Sequence, residues 1–457
     1  MVPDLDKQTW PFAAAGHRFR GEDSATGRRA RLREALREQG RFTAGQTAGR
    51  FYAIACVALE ITQRCNLDCT LCYLSDAAEA AHDVPLPVLV RRLASIADHF
   101  GPGTAVQITG GDPTLRRIED LEAILTEATR LGLWPCLMTN GIRATRPFLA
   151  RLAAAGLKDV AFHVDMTQER RGYDSEAALN AVRADYLARA RGLGLRVLFN
   201  TTVHAATLPE LPALARFFRA HAHEIAMASF QMQADTGRGV LGRRVDAVTQ
   251  DRVQAALSEG FGTPIDFDTA RVGHETCNRY GSLLVAGEQA VSALGDTALF
   301  HRVLAALEAA DPGRRAASAF WPMLLRALLR RPGTALAAAA HGLGLLWRLR
   351  GGLLSARGRV ARLSVFIHNF MDADDLDRDR CAACVFMVAT EDGPLSMCVH
   401  NAARDAHIFA PARLAGQAGW WSAATGEVTD IPVAAEPAPL PAKKLKGRAA
   451  AVDTGRP

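Results

Sequence analysis

Between residues 56 and 233, strand-like and helix-like segments alternate without interruption, and this pattern most narrows the possible folds. CVALEIT (56–62) reads as a buried strand, and 86–100 has the apolar spacing of a helix. AVQIT (105–109) is a strand ending in Gly110–Gly111, 118–131 a helix, and PCLMT (135–139) a strand ending at Asn140–Gly141. The alternation continues with helix 147–155, strand 159–165, helix 177–192, strand 196–203, helix 209–221 and strand 224–233. Such units build a parallel sheet with right-handed crossovers. Polar residues and glycine pairs at the strand ends suit a barrel whose site lies at that end. The expected fold class is α/β, a partial (β/α)6 barrel of TIM type.

The rest of the 457 residues divides less regularly. Residues 1–50 form a polar, Arg-rich, Cys-free extension in which 24–39 reads as an exposed helix without a site. The barrel is expected over 51–243, and a C-terminal region over 244–310 and 363–434. Residues 311–362 are expected to be an amphipathic helical insertion, and 435–457 a disordered tail. The insertion is unusual in charge. Between Asp311 and Asp372 there are 60 residues with no acid and ten Arg. Trp321, Leu324, Leu325 and Leu328 share a helical face, with Arg326, Arg330 and Arg331 elsewhere. This is the composition of a helix lying on an anionic membrane, or of a core hairpin covered by arginine stems.

Composition excludes several classes. The net charge of +6 is small for this length and gives no argument for nucleic acid. Charged residues within the first 30 leave no room for a signal peptide, and no uncharged apolar run reaches about 18 residues, the length of a spanning helix. A cytoplasmic location is expected, with peripheral contact on the inner face of the membrane open. Nine unevenly spaced Cys then read as metal ligands sooner than as disulfides.

The sharpest motif is Cys65-N-L-D-Cys69-T-L-Cys72, directly after the first strand. With so few Cys, this spacing arises by chance less than about 1% of the time. Three thiolates can hold three corners of a [4Fe–4S] cluster and leave one iron open to a ligand. A structural zinc site with a distant fourth ligand is the alternative. Cys381-A-A-Cys384, Cys398 and Cys277 make a second set of four, suited to a fully ligated auxiliary [4Fe–4S] cluster or to zinc. His274, His368 and His400 are alternatives for one ligand. Cys56 and Cys136 lie in apolar strands and read as core thiols. Gly237-R-Gly239-V-L-Gly242 formally matches a nucleotide fingerprint, but lacks a clean strand–turn–helix around it and reads as a glycine-rich loop.

Over roughly residues 55–235 the chain resembles the radical S-adenosylmethionine (SAM) superfamily. The resemblance rests on the cysteine loop and on Gly110-Gly111-Asp112-Pro113 after the second strand, where the family usually has GGEP. It implies that the open iron chelates SAM and that one electron cleaves it to methionine and a 5′-deoxyadenosyl radical, which takes hydrogen from a substrate. It implies an electron donor such as flavodoxin or ferredoxin. Leu71 stands where the family usually has an aromatic residue, and Tyr73 follows the third Cys. By position at strand ends, Thr139, Asn140, His163, Asp165, Asn200, Thr202, Gln231 and Gln233 are further SAM-contact candidates. Asp165 is either a ribose ligand or a helix N-cap. His163 shares its face.

The segments around Cys277, Cys381, Cys384 and Cys398 look similar to a branch holding tetraether lipid synthases and related pterin methyltransferases. The first expectation is therefore radical attack on an unactivated C–H bond, of a lipid, for coupling or alkylation. That branch's Cys-rich N-terminal module has no counterpart in residues 1–55. The alternatives are a radical SAM maturase of a peptide, a methyltransferase of a pterin-like small molecule and, outside enzymology, a zinc-stabilised scaffold.

Overall fold

A computed structural model of the chain describes residues 25–239, 241–308 and 317–433. The expectation of a disordered tail over 435–457, the start of the helical insertion and residues 1–24 of the N-terminal extension lie outside these residues.

Six β/α units follow the expected order. The strands are β1 (Cys56–Thr62), β2 (Ala105–Gly110), β3 (Trp134–Thr139), β4 (Asp159–His163), β5 (Arg196–Val203) and β6 (Ile225–Met232). The first unit's helix, α2 (Leu86–Phe100), is preceded by α1 (Ala25–Glu38). The next helices are α3 (Ile118–Arg130), α4 (Arg146–Ala154), α5 (Asn180–Ala190) and α6 (Leu211–Ala220). Side-chain alternation sets the layers. Val57, Leu59 and Ile61 of β1 join Val88, Leu89, Leu93 and Ile96 of α2 in the main apolar core. The intervening residues, Glu60 among them, face the other side of the sheet.

The parallel sheet is wider than the six expected strands. After α7 (Gln250–Phe261) comes an antiparallel hairpin, β7 (Asn278–Ala286) and β8 (Gln289–Ser292). Four helices intervene: α8 (Thr297–Glu308), α9 (Ala317–Leu329), α10 (Pro332–Arg348) and α11 (Arg350–Ser355). Strand β9 (Ala361–Asn369) then pairs in parallel with β6. After α12 (Arg378–Ala382), β10 (Phe386–Thr390) pairs in parallel with β1. The sheet therefore reads β11-β10-β1-β2-β3-β4-β5-β6-β9-β7-β8, where β11 is Gly393–Ser396. Eight consecutive strands of it are parallel, and the sheet crosses the boundary that the sequence suggested near residue 243.

The two ends of this row meet through side chains. Phe366 of β9 packs against Phe386 of β10 with ring centroids 6.1 Å apart, and His368 lies 4.8 Å from the same ring. A small core of Leu32, Leu36, Ala48, Val272, Phe366, Ala383 and Val385 fills this seam. Helix α1 is thus not the exposed helix its charge suggested. Its two leucines are buried in the seam and Arg28 is buried beside Phe100, while Arg31 and Arg37 face outward.

Chain beyond β11 forms α13 (Met397–Ala402) and α14 (Arg404–Ile408), then a small antiparallel sheet of β12 (Ala412–Arg413), β13 (Trp420–Trp421) and β14 (Val428–Thr429). Among the described residues, no helix is long and apolar enough to cross a membrane.

Candidate active site at the carboxyl ends of the strands

The loop carrying Cys65, Cys69 and Cys72 leaves the carboxyl end of β1. Two glycines allow β2 to lie directly beneath it. A Cβ on Gly110 would stand 1.9 Å from the carbonyl oxygen of Thr62, and one on Gly111 would stand 2.0 Å from that of Arg64. The Gly111 and Asp112 amides donate to these same carbonyls, at 2.9 and 2.8 Å. Replacing Gly111 by Ala must therefore push backbone against backbone. The expected result is a chain that folds less stably and loses the loop geometry. Iron bound after anaerobic reconstitution should drop by about 4 per chain, one cluster's worth.

Asp112 does not reach outward from this platform. Its buried carboxylate accepts from the Thr114 amide at 2.9 Å, the Thr114 hydroxyl at 2.6 Å, the Thr139 hydroxyl and the Asn140 amide at 2.9 Å. All four donors belong to the protein, so the side chain braces the end of β2 against the end of β3. Pro113 begins the short turn that follows. Asn140 in turn donates to Asn66 of the cysteine loop at 2.7 Å.

Asp165 braces the opposite side. One carboxylate oxygen caps the turn at 166–168 through the Thr167 amide (3.0 Å), which is the N-cap geometry. The other accepts from the Thr202 amide at 2.8 Å and lies 2.6 Å from Nε2 of His163. Nε2 of His163 also lies 3.2 Å from the Thr202 hydroxyl. Burial opposes a charge on His163, but Asp165 outweighs it and holds the imidazole above its ordinary pKa. The Thr70 amide donates to the Thr167 carbonyl at 2.8 Å, which ties the cysteine loop to this turn.

The third wall is the glycine-rich segment after β6. Gly237 has φ +61°, and a Cβ there would stand 2.3 Å from the Tyr73 carbonyl oxygen; one on Gly239 would stand 3.2 Å from the Cys72 amide nitrogen. These glycines let backbone press onto the cysteine loop, and no nucleotide site is needed to account for them. Arg238 between them is buried, donates to Glu79 at 3.2 Å and interacts with the Cys72 thiol. Its Nε and Nη2 are buried and make no hydrogen bond among the described residues, with Nη2 3.9 Å from the Asp68 carboxylate.

Among the described residues, no three His, Cys, Asp or Glu side chains are drawn together tightly enough to hold a metal ion as they stand. The thiols nevertheless sense one another. Burial, followed by the nearby Asp112 and Cys72, raises Cys65 to about 11, and burial followed by Cys72, Asp165 and Cys65 raises Cys69 well above its ordinary value. A cluster of iron and sulfide fits the donor set for a separate reason. Its thiolates and sulfides would give the orphaned nitrogens of Arg238 the acceptors they lack.

The second set of cysteines lies beside the seam. Cys277, Cys381, Cys384 and Cys398 come from the start of β7, α12 and α13. Cys384 lies within electrostatic reach of the other three thiols. Arg380 donates to the Cys277 sulfur at 3.2 Å, and the Met371 amide donates to that of Cys398 at 3.5 Å. Burial raises Cys277 to about 11 and Cys381 to about 12. The three alternative His ligands turn elsewhere. His368 stacks on Phe366 at 4.3 Å and pairs with Asn278; His274 accepts from the Thr276 amide; His400 stacks on His407. Cys56 and Cys136 are buried, as expected of core thiols.

One constellation was missed from the sequence. Glu60, buried on β1, pairs with Arg404 of α14 at 2.6 Å, and Gln63 donates to the second Glu60 oxygen at 2.8 Å. The Arg404 guanidinium lies 4.6 Å over the Tyr73 ring, whose hydroxyl donates to the Gly110 carbonyl. Tyr73 is thus already stacked, on an arginine, whereas half-buried Leu71 has no such partner. The available signal was an acid in the middle of the apolar strand CVALEIT, because a buried carboxylate needs a cationic partner.

Residues 59–217 match the family model of the Radical SAM superfamily. The barrel has the radical SAM fold. The PqqA peptide cyclase of Xanthomonas oryzae is 32% identical over 222 residues, 47% of this chain and 59% of that protein. The 7,8-dihydro-6-hydroxymethylpterin dimethyltransferase of Methanocaldococcus jannaschii is 25% identical over 190 residues, 39% of this chain and 36% of that one. Among solved structures, Streptococcus suis SuiB bound to the precursor peptide SuiA aligns at 17% identity and a TM-score of 0.38, covering 46% of each chain. The chain thus spans about three-fifths of the length of the curated cyclase it matches. The superfamily and both curated relatives are enzymes, and the superfamily implies a [4Fe–4S] cluster and SAM. The lipid expectation and the tetraether branch gain no support from these relatives.

Proposed function

We propose that this radical SAM domain belongs to an enzyme that activates a C–H bond of a peptide. The observation that carries the chemistry is the cysteine loop braced by Asp112, Asp165 and Arg238, with orphaned Arg238 nitrogens beside Cys72. The observation that favours a peptide is the similarity of the barrel to a peptide cyclase. A pterin-like small molecule is the second reading, favoured by the methyltransferase match over the same region.

In this reading Cys65, Cys69 and Cys72 hold a cluster with one open iron, and Gly110, Gly111, Asn140 and Thr202 shape the ground where SAM lies. When bound, the cluster and SAM supply a 5′-deoxyadenosyl radical after one electron from a donor such as flavodoxin or ferredoxin. The chain's own residues do the rest. Asp112 and Asp165 fix the strand ends around the loop, and Arg238 offsets negative charge behind Cys72. The Glu60–Arg404 pair holds Tyr73 against β2. Cys277, Cys381, Cys384 and Cys398 would hold an auxiliary cluster near the seam, with Arg380 as its charge partner.

The test is anaerobic reconstitution followed by hydrogen-transfer mapping. About 8 Fe per chain is expected, with 5′-deoxyadenosine formed from SAM and dithionite. Perdeuterated peptide, small-molecule and lipid fractions are then supplied separately. Deuterium entering 5′-deoxyadenosine only from the peptide fraction supports the proposal. Transfer from the small-molecule or lipid fraction instead replaces the substrate class. Bound zinc with intact SAM would sink the enzyme reading altogether.

A further inference from the structure

The outer surface of helices α9–α11 combines two features that rarely coexist on a soluble face. The first is exposed apolar bulk. Leu336, Leu343 and Trp347 of α10 are 72%, 68% and 68% exposed, and Leu329 of α9 and Leu354 of α11 are 68% and 84% exposed. Leu336, Ala340, Leu343 and Trp347 follow helical spacing along one face of α10. Its other face is already used, because Leu345 and Leu349 pack with Ala286 and Val291 of the β7–β8 hairpin. The exposed row therefore does not belong to this chain's own core.

The second feature is unanswered positive charge. Among the described residues, no carboxylate lies within ion-pair distance of Arg326, Arg330, Arg331, Arg348 or Arg350. Arg350 instead lies 4.7 Å over the exposed Trp347 ring. Arginines on the barrel helices behave differently: Arg130, Arg151 and Arg191, also well exposed, each reach a glutamate. The contrast follows from the sequence, since residues 312–371 contain no acid at all.

We propose that this face docks on an anionic lipid surface, with the leucines and Trp347 entering the headgroup region and the arginines meeting lipid phosphates. The chemistry of such an interface is apolar depth rimmed by negative charge, and arginine, leucine and tryptophan together match it. A nucleic acid would answer the arginines but leave the leucines wet. None of these helices spans, so the contact lies in the plane of the interface. The inference is independent of the substrate proposed above.

Flotation of the full-length protein with vesicles tests it. Vesicles of phosphatidylcholine alone are compared with vesicles containing phosphatidylglycerol. The protein should float with the anionic vesicles only, and less so at high salt. Replacing Arg326, Arg330 and Arg331 by Glu should weaken binding by roughly a hundredfold. Leu343→Glu with Trp347→Glu should abolish flotation while 5′-deoxyadenosine formation continues, which shows that the chain is still folded. Protein left at the bottom of both gradients overturns the proposal, as does equal flotation on neutral vesicles. A dimer in solution that dissolves on Leu343→Glu also overturns it, since a second copy would then occupy the face.

Discussion

Replacing Cys65, Cys69 or Cys72 singly by Ala is expected to bring reductive SAM cleavage to background, a loss of at least about a thousandfold, the scale on which removing one indispensable catalytic group acts. In the proposed site each thiol is one of three protein ligands, so a single loss would leave two and a cluster that does not persist through desalting. Cys398→Ala is expected to behave differently. It lies in the seam set and should cost roughly half of the bound iron, while uncoupled 5′-deoxyadenosine continues to form. The measurements are iron and sulfide per chain and 5′-deoxyadenosine against time. Cleavage at the parent rate in the Cys65/Cys69/Cys72 triple variant would show that the chemistry lies elsewhere. Loss of cleavage in Cys398→Ala would merge the two cysteine sets into one functional unit.

The six β/α units and the cysteine loop were legible because each rests on local pattern. Strand periodicity, glycine pairs and C-x3-C-x2-C spacing all lie within a few residues of one another. Strands β9 and β10 were harder, because each is paired with a partner far back in the chain: Ser364 lies beside Met227, and Phe386 beside Cys56. Local pattern says nothing about which edge a late strand joins. The burial of Leu32 and Leu36 was hidden for the same reason, since the seam they fill exists only once both sheet ends are in place. Asp112 and Asp165 were found at the right strand ends. The number of protein donors around each carboxylate could be counted only after neighbouring strands were set in register. That count shows that both carboxylates brace the strand ends around the loop. Arg238 sat inside a motif whose usual reading is phosphate binding, and its contact with Cys72 emerges only from the return of the chain after β6.

Breaking the buried Glu60–Arg404 pair should produce a large loss of stability. Burial alone would raise the Glu60 pKa, but Arg404, His400 and Gln63 outweigh it and hold the carboxyl at about 2. Arg404→Met leaves that carboxylate buried without its cation, which costs on the order of 3–5 kcal/mol. Adding Glu60→Met should recover most of the loss, because the uncompensated charge goes with it. The pH dependence has a defined sign. In the parent chain the folded pKa is below the unfolded one, so Glu60 contributes stability above about pH 4.3 and loses it as pH falls toward 2. In Arg404→Met the folded pKa rises above the unfolded one. The penalty is then largest near neutral pH and shrinks as the carboxyl protonates. Urea unfolding of the reconstituted protein between pH 7 and pH 4 should therefore show the parent and Arg404→Met converging. A gap of constant size would mean that Glu60 gains nothing from protonation and that Arg404 acts through packing on Tyr73. That outcome would move the origin of the effect from charge to the ring contact that holds the cysteine loop against β2.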